Sequence, residues 1–245
     1  MSRAAREISE SGLYHIVFRG VNRQRIFEEE TDYKRMIEIL TEMKKEMRYE
    51  IYSYCLMSNH VHIILREKEP GNISLIMKRL LTKYVRWYNS KYERSGALIA
   101  NRYKSKPIEV DEYFLSVIRY IHQNPIKANL IKDIAEYEWS SYTEYLTEKQ
   151  GLTDKHFVLD MMSKTEFIEF HQIEEQSIFV VDDRIKLTDD EIRRKILKVY
   201  GIEPKLIGEM ERNKRNEILR ILKEKYSIRQ LERVTGISRG IIHKS

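Results

Sequence analysis

Cysteine is almost missing: among 245 residues only Cys55 carries a thiol. One thiol makes neither an internal disulfide nor a cysteine-based zinc site, so nothing here calls for an oxidising compartment. Four prolines and nine glycines are too few for a collagen-like or linker-dominated chain. No apolar run approaches the roughly 18 residues of a membrane span, and the opening MSRAAREISE lacks the apolar stretch of a secretory signal. A cytoplasmic protein is therefore expected. Hydrophobic residues make up 42% and charged residues 33%, enough apolar material for one sizeable core or two modest ones. Sixteen tyrosines supply many rings with both a packing face and a hydroxyl.

The net charge of +6 permits an anionic partner without requiring one, and its distribution says more. Residues 1–150 carry 25 basic and 21 acidic groups, 151–190 carry 4 and 10, and 191–245 carry 15 and 7. A basic tail behind an acidic stretch reads as two modules, the second the stronger nucleic-acid candidate.

Leu13 to Arg19 alternates as a strand. Tyr33, Met36, Ile37, Leu40, Met43 and Met47 fall at helical spacing, and two strands then flank Ser58-Asn59 as a turn. A helix from about Asn72 to Tyr92, an irregular basic segment NRYKSKP, a short strand near Ile108 and a third helix from Asp111, ended by Pro125, complete the pattern. This order predicts an α+β domain with a ferredoxin-like antiparallel sheet backed by helices over 1–149. An acidic connector with some helix is expected over 150–187, and a helical domain over 188–245.

In SNHVHIILRE, strand geometry projects His60 and His62 from one face while Val61, Ile63 and Leu65 point the other way. Two imidazoles on one face can converge on a metal ion; alone, the pattern more often describes a pair of surface histidines on a half-buried strand. In EYFLSVIRYIHQNP, Tyr120 and Asn124 share a helical face. A phenol is a poor nucleophile unless assisted, and an amide oxygen one turn away could complete a His-His-Asn site beside it. Tyr113 lies on nearly the same face and is the rival nucleophile.

YHIVFRG, RQRIFEEETDY, YCLMSNHVHIIL, NRYKS, RYIHQNPIKANLI and EWSSYTEYL follow one another across residues 12–146. In this order and spacing they resemble the single-tyrosine HUH transposases of the insertion-sequence type, and within them the REP-associated tyrosine transposases. The resemblance implies the HUH fold and a DNA nicking and rejoining enzyme. It makes Tyr120 the nucleophile, His60, His62 and Asn124 the ligands of Mg2+ or Mn2+, and a 5′-phosphotyrosine the intermediate. The ALIANRYKS segment departs from the family's common aromatic-glycine version, and Ser58 stands where proline is frequent. A DNA-binding regulator that has lost cleavage, or a relaxase or replication initiator, are the alternatives.

For DNA contact, Arg102, Lys104 and Lys106 precede the third helix in the basic segment and are phosphate candidates, while the Tyr84, Tyr88, Tyr92 stripe suits a core face better than base stacking. At the C-terminus, YSIRQLERVTGISRGIIHKS reads as a helix-turn-helix with Ser238 as N-cap. Ile228, Leu231, Val234, Ile237 and Ile241 or Ile242 form its buried face, and Arg239, His243 and Lys244 are its DNA-facing candidates.

Overall fold

Period-two alternation becomes a four-stranded sheet in the computed structural model, which describes residues 7–100, 102–174, 189–226 and 228–244. The strands are β1 (Leu13–Arg19), β2 (Glu50–Met57), β3 (His60–Arg66) and β4 (Lys104–Pro107). Their order is β2-β3-β1-β4 and every neighbouring pair is antiparallel. With α1 (Glu30–Met47) between β1 and β2, and α2 (Ile73–Lys91) between β3 and β4, this is the ferredoxin-like arrangement that the element order predicts. Ser58-Asn59 is the two-residue turn of the β2-β3 hairpin, pairing Met57 with His60.

One face of the sheet carries Tyr14, Ile16, Phe18, Val61, Ile63 and Leu65 and is covered by the apolar stripes of α1 and α2. Those stripes recur at helical spacing: Met36, Ile39, Leu40 and Met43 on α1, and Ile73, Ile76, Met77, Leu80, Tyr84 and Tyr88 on α2. Tyr84 and Tyr88 are fully buried, so the tyrosine stripe is core. The two helices are further joined by Asp32, a wholly buried carboxylate that accepts from Lys91 Nζ at 2.5 Å and from Tyr92 Oη at 2.8 Å. It also caps the start of α1 through the backbone N–H groups of Glu28 and Glu29. Burial opposes its charge, but the Lys91 ammonium and the other donors outweigh that and hold its carboxyl below the usual range.

The opposite face carries Leu13, Cys55, Met57 and Ile64 and is covered by α3 (Asp111–Lys127) through Phe114, Val117, Ile118 and Ile121. Three short helices follow: α4 (Tyr142–Leu146), α5 (His156–Leu159) and α6 (Lys164–Gln172). The stretch expected as an acidic connector is part of this layer up to α6. Val158 and Phe167 lie in the same core as Phe114, because its acidic groups are outside and its few apolar ones inside. The remainder of that stretch, 175–187, lies outside the described residues.

Pro125 does not end α3, as the sequence predicts, but sits inside it. The stop comes four residues later, at Asn129 in the left-handed region (φ 56°). Leu130 N–H donates to Pro125 O (3.0 Å) and Asn129 N–H to Ile126 O (2.9 Å), a Schellman closure that satisfies the last carbonyls. The predicted strand near Ile108 lies earlier, at Lys104–Pro107, so Lys104 and Lys106 stand on an edge strand and not in an irregular loop.

The chain divides into two compact units, residues 1–181 and 182–245. The second is helical: α7 (Asp189–Tyr200), α8 (Arg212–Lys225), α9 (Ile228–Thr235) and α10 (Arg239–Lys244). Leu231, Val234, Ile237 and Ile242 are buried in its core, whereas Ile241 is exposed. Gly236 (φ 75°) makes the turn after α9, and Ser238 occupies the N-cap position of α10, its carbonyl accepting from Ile241 and Ile242 N–H. Among the described residues no helix is long and apolar enough to cross a membrane.

Candidate active site

β3 presents His60 and His62 on the α3 side of the sheet, with ring centroids 5.0 Å apart and planes at 80°. His60 is half-buried and His62 almost fully buried. Across the gap, the ring of Tyr120 on α3 lies 5.6 Å from that of His62, edge-on at 81°. The tyrosine is 8% exposed, as is Asn124 one turn further along. His60, His62 and Tyr120 thus form one contiguous cluster, and Asn124 follows Tyr120 by one helical turn. The rival Tyr113 has its ring covered by Lys106 Nζ, 4.7 Å from the centroid.

The amide of Asn124 is oriented by the proline beside it. Pro125 has no N–H to give to Ile121 O, and Asn124 Nδ2 approaches that carbonyl at 3.4 Å while donating to Tyr120 O at 2.8 Å. With its nitrogen committed to the helix, Asn124 has Oδ1 as the end that could accept a cation. His60 is oriented similarly. Its Nδ1 is 2.6 Å from Asn59 Oδ1, an atom that only accepts, so the proton lies on Nδ1 and the lone pair on Nε2. Asn59 is itself held in the hairpin turn, its Nδ2 reaching Arg23 O (3.4 Å) and its carbonyl accepting from Gly20 N–H (2.9 Å). Asn22 and Arg23 adopt left-handed backbone (φ 51° and 62°) to make this approach.

Two neighbours escaped the sequence reading. His15 on β1 is fully buried, with Nε2 3.1 Å from His62 Nδ1 and its ring 6.1 Å from Tyr120. The signal was available as parity, since His15 alternates onto the face that β3 gives to His62, but the pairing of β1 with β3 had first to be known. Lys127, one turn beyond Asn124, places Nζ 4.9 Å from the Tyr120 ring centroid.

Beyond the site, α3 is anchored by a buried polar chain. His171 Nδ1 lies 2.8 Å from Phe167 O, which can only accept, so Nδ1 donates and Nε2 must accept. His122 Nδ1 donates to that Nε2 at 2.9 Å, which leaves His122 Nε2 to accept from the Ser141 hydroxyl at 2.7 Å. Burial pushes the pKa of both rings down, His171 to about 4, and the neighbouring His171 adds to the fall at His122. The chain ties the helix carrying Tyr120 and Asn124 to α4 and α6.

Lys104 and Lys106 pair with Val17 and His15 of β1 and so share the sheet face of His60 and His62; Arg102 is exposed just before them. In the second unit Arg239 is exposed and ion-paired with Glu232 at 2.7 Å, and His243 is exposed. The side chain of Lys244 lies outside the described residues.

Residues 9–124 match the family model of IS200-like transposases. The match spans 116 of the 245 residues. The fold has the same affinity: a structure of a REP-associated tyrosine transposase bound to a REP hairpin superposes with a TM-score of 0.50 at 16% identity, over 63% of this chain and 94% of that one. A structure named as a candidate transposase from Deinococcus radiodurans gives a TM-score of 0.35 at 17% identity, over 54% of this chain and 98% of that one. No curated protein matches.

Proposed function

We propose that the first unit nicks and rejoins a single strand of DNA, or a hairpin, through a covalent 5′-phosphotyrosine formed on Tyr120. The observation that carries this reading is the convergence of Tyr120 on His62 and His60, with Asn124 one helical turn away.

The donor set fits a divalent cation. His60 and Asn124 are turned so that Nε2 and Oδ1 are their ligating ends, and His62 faces the same space. Among the described residues no group of three His, Cys, Asp or Glu side chains could hold a metal, and the third protein ligand in this reading is the amide of Asn124. Two imidazoles and an amide oxygen accept Mn2+ or Mg2+ and leave positions open for phosphate oxygens. A cation bound there would polarise the scissile phosphate and neutralise charge on its non-bridging oxygens.

The chain's own groups do the rest. The Tyr120 oxygen gives up its proton and forms a bond to phosphorus, the bond to the 3′ oxygen breaks, and that oxygen takes up a proton as a 3′-hydroxyl. The ammonium of Lys127 lies against the Tyr120 ring, where a cation is placed to attract the incoming phosphate. Because the phosphodiester is exchanged and not hydrolysed, a 3′-hydroxyl can reverse the step and no nucleotide cofactor is required. Arg102, Lys104 and Lys106, on or beside the same sheet face, are suited to the entering backbone.

For the second unit, α9, its glycine turn and α10 support a helix-turn-helix that reads duplex DNA with Arg239, His243 and Lys244. Incubation with a library of single-stranded hairpins and Mn2+, followed by sequencing of trapped 5′ ends, tests the catalytic reading. Tyr120→Phe is expected to bind the same DNA and trap none. Trapping that persists in this variant, or wild-type protein that binds without ever trapping, contradicts it, the second result in favour of a non-catalytic regulator.

A further inference from the structure

A histidine that binds a metal through one ring nitrogen needs its proton on the other, and that N–H must have an acceptor. For His60 the acceptor is Asn59 Oδ1. For His62 the atom at the equivalent place is a third imidazole nitrogen, Nε2 of His15, 3.1 Å from His62 Nδ1. The two rings lie on adjacent strands, diagonally, two residues out of register, with centroids 5.4 Å apart and planes 29° from parallel. Water cannot substitute for this contact, because His15 is 0% and His62 1% exposed. His15 is also edge-on to Tyr120, so one ring touches both the metal-facing histidine and the phenol.

We infer that His15 is a positioning residue: it accepts the Nδ1 proton of His62, fixes the tautomer that turns the Nε2 lone pair toward the cation, and so sets metal affinity without ligating. His15 is not itself a ligand in this reading, since the nitrogen it presents to the site is the one against His62 Nδ1. This rests on the metal reading above, and goes beyond it in assigning a role to β1.

Two measurements on the full chain decide it. In the metal-free wild type with 15N-labelled histidine, long-range proton-nitrogen correlation is expected to find His62 protonated at Nδ1 and bare at Nε2. The opposite tautomer overturns the inference, and this reading does not depend on any variant folding. Calorimetric titration with Mn2+ in the absence of DNA then compares wild type with H15F, which keeps the stacked ring but removes the acceptor, and H15Q, whose amide oxygen can accept. H15F is expected to bind about 10- to 100-fold more weakly, with H15Q recovering most of the loss. Equal affinity in wild type and H15F overturns the role of His15 alone. A wild type that binds no Mn2+, like His62→Ala, overturns the metal reading itself.

Discussion

Acidification should loosen the first unit through the His171-His122 pair before it affects most carboxylates. Both rings are buried and neutral, and the hydrogen bond between them needs one bare nitrogen: were both rings charged, His122 Nδ1–H and His171 Nε2–H would face each other. Unfolded, each ring titrates near 6.5; folded, His171 does so only near 4. Between these values the unfolded chain binds the proton that the folded chain refuses, so stability falls as pH drops from 6.5 toward 4. For His171 the interval corresponds to about 3 kcal/mol, of which about 2.5 is lost by pH 4.5. His122 moves in the same direction. Against a typical total of about 5–15 kcal/mol this is a large share. Urea titrations at pH 7 and pH 4.5 measure it in the intact chain, because the only two tryptophans, Trp87 and Trp139, lie in the first unit and their emission follows that unit alone. His171→Gln should be less stable at pH 7 yet lose about 2 kcal/mol less on acidification. A variant that loses as much as wild type would refute the reasoning.

Three other outcomes follow from the same geometry. Asp32→Ala removes a buried carboxylate that joins α1 to Lys91 and Tyr92, and urea unfolding should show a loss on the order of 3 kcal/mol. Asn124→Ala deletes the amide oxygen and should lower nicking of a labelled oligonucleotide at least tenfold, with Asn124→Gln retaining more than Ala. Replacing Arg102, Lys104 and Lys106 together by alanine should flatten the salt dependence of single-strand binding, lowering the slope of log K against log salt by about 2.

Much of the site was legible because each half of it lies within one element. Period two places His60 and His62 together on β3, and a four-residue step places Asn124 over Tyr120 on α3. The parts that were not legible depend on partners distant in the chain. His15 meets His62 across a strand pairing at a sequence separation of 47, and His122 meets His171 at a separation of 49. Pro125 misled for a local reason: its missing N–H would ordinarily leave a carbonyl bare, but the neighbouring asparagine side chain reaches it, and the helix runs on to Asn129. Acidic composition misled over 150–172, where burial of Val158, Phe167 and His171 matters more than net charge. Arg239 shows a limit of another kind, since its pairing with Glu232 on the preceding helix could not be read from its place in the tail.

Tyr120 is central to the account as the nucleophile in a covalent exchange with DNA. Wild-type protein incubated with a cleavable oligonucleotide and Mn2+, digested with protease and mapped by mass spectrometry, should carry the nucleotide phosphate on the peptide containing Tyr120, with fragmentation placing it on that residue. A phosphate found on Tyr113, or a strand cut with no peptide modified, would contradict the account.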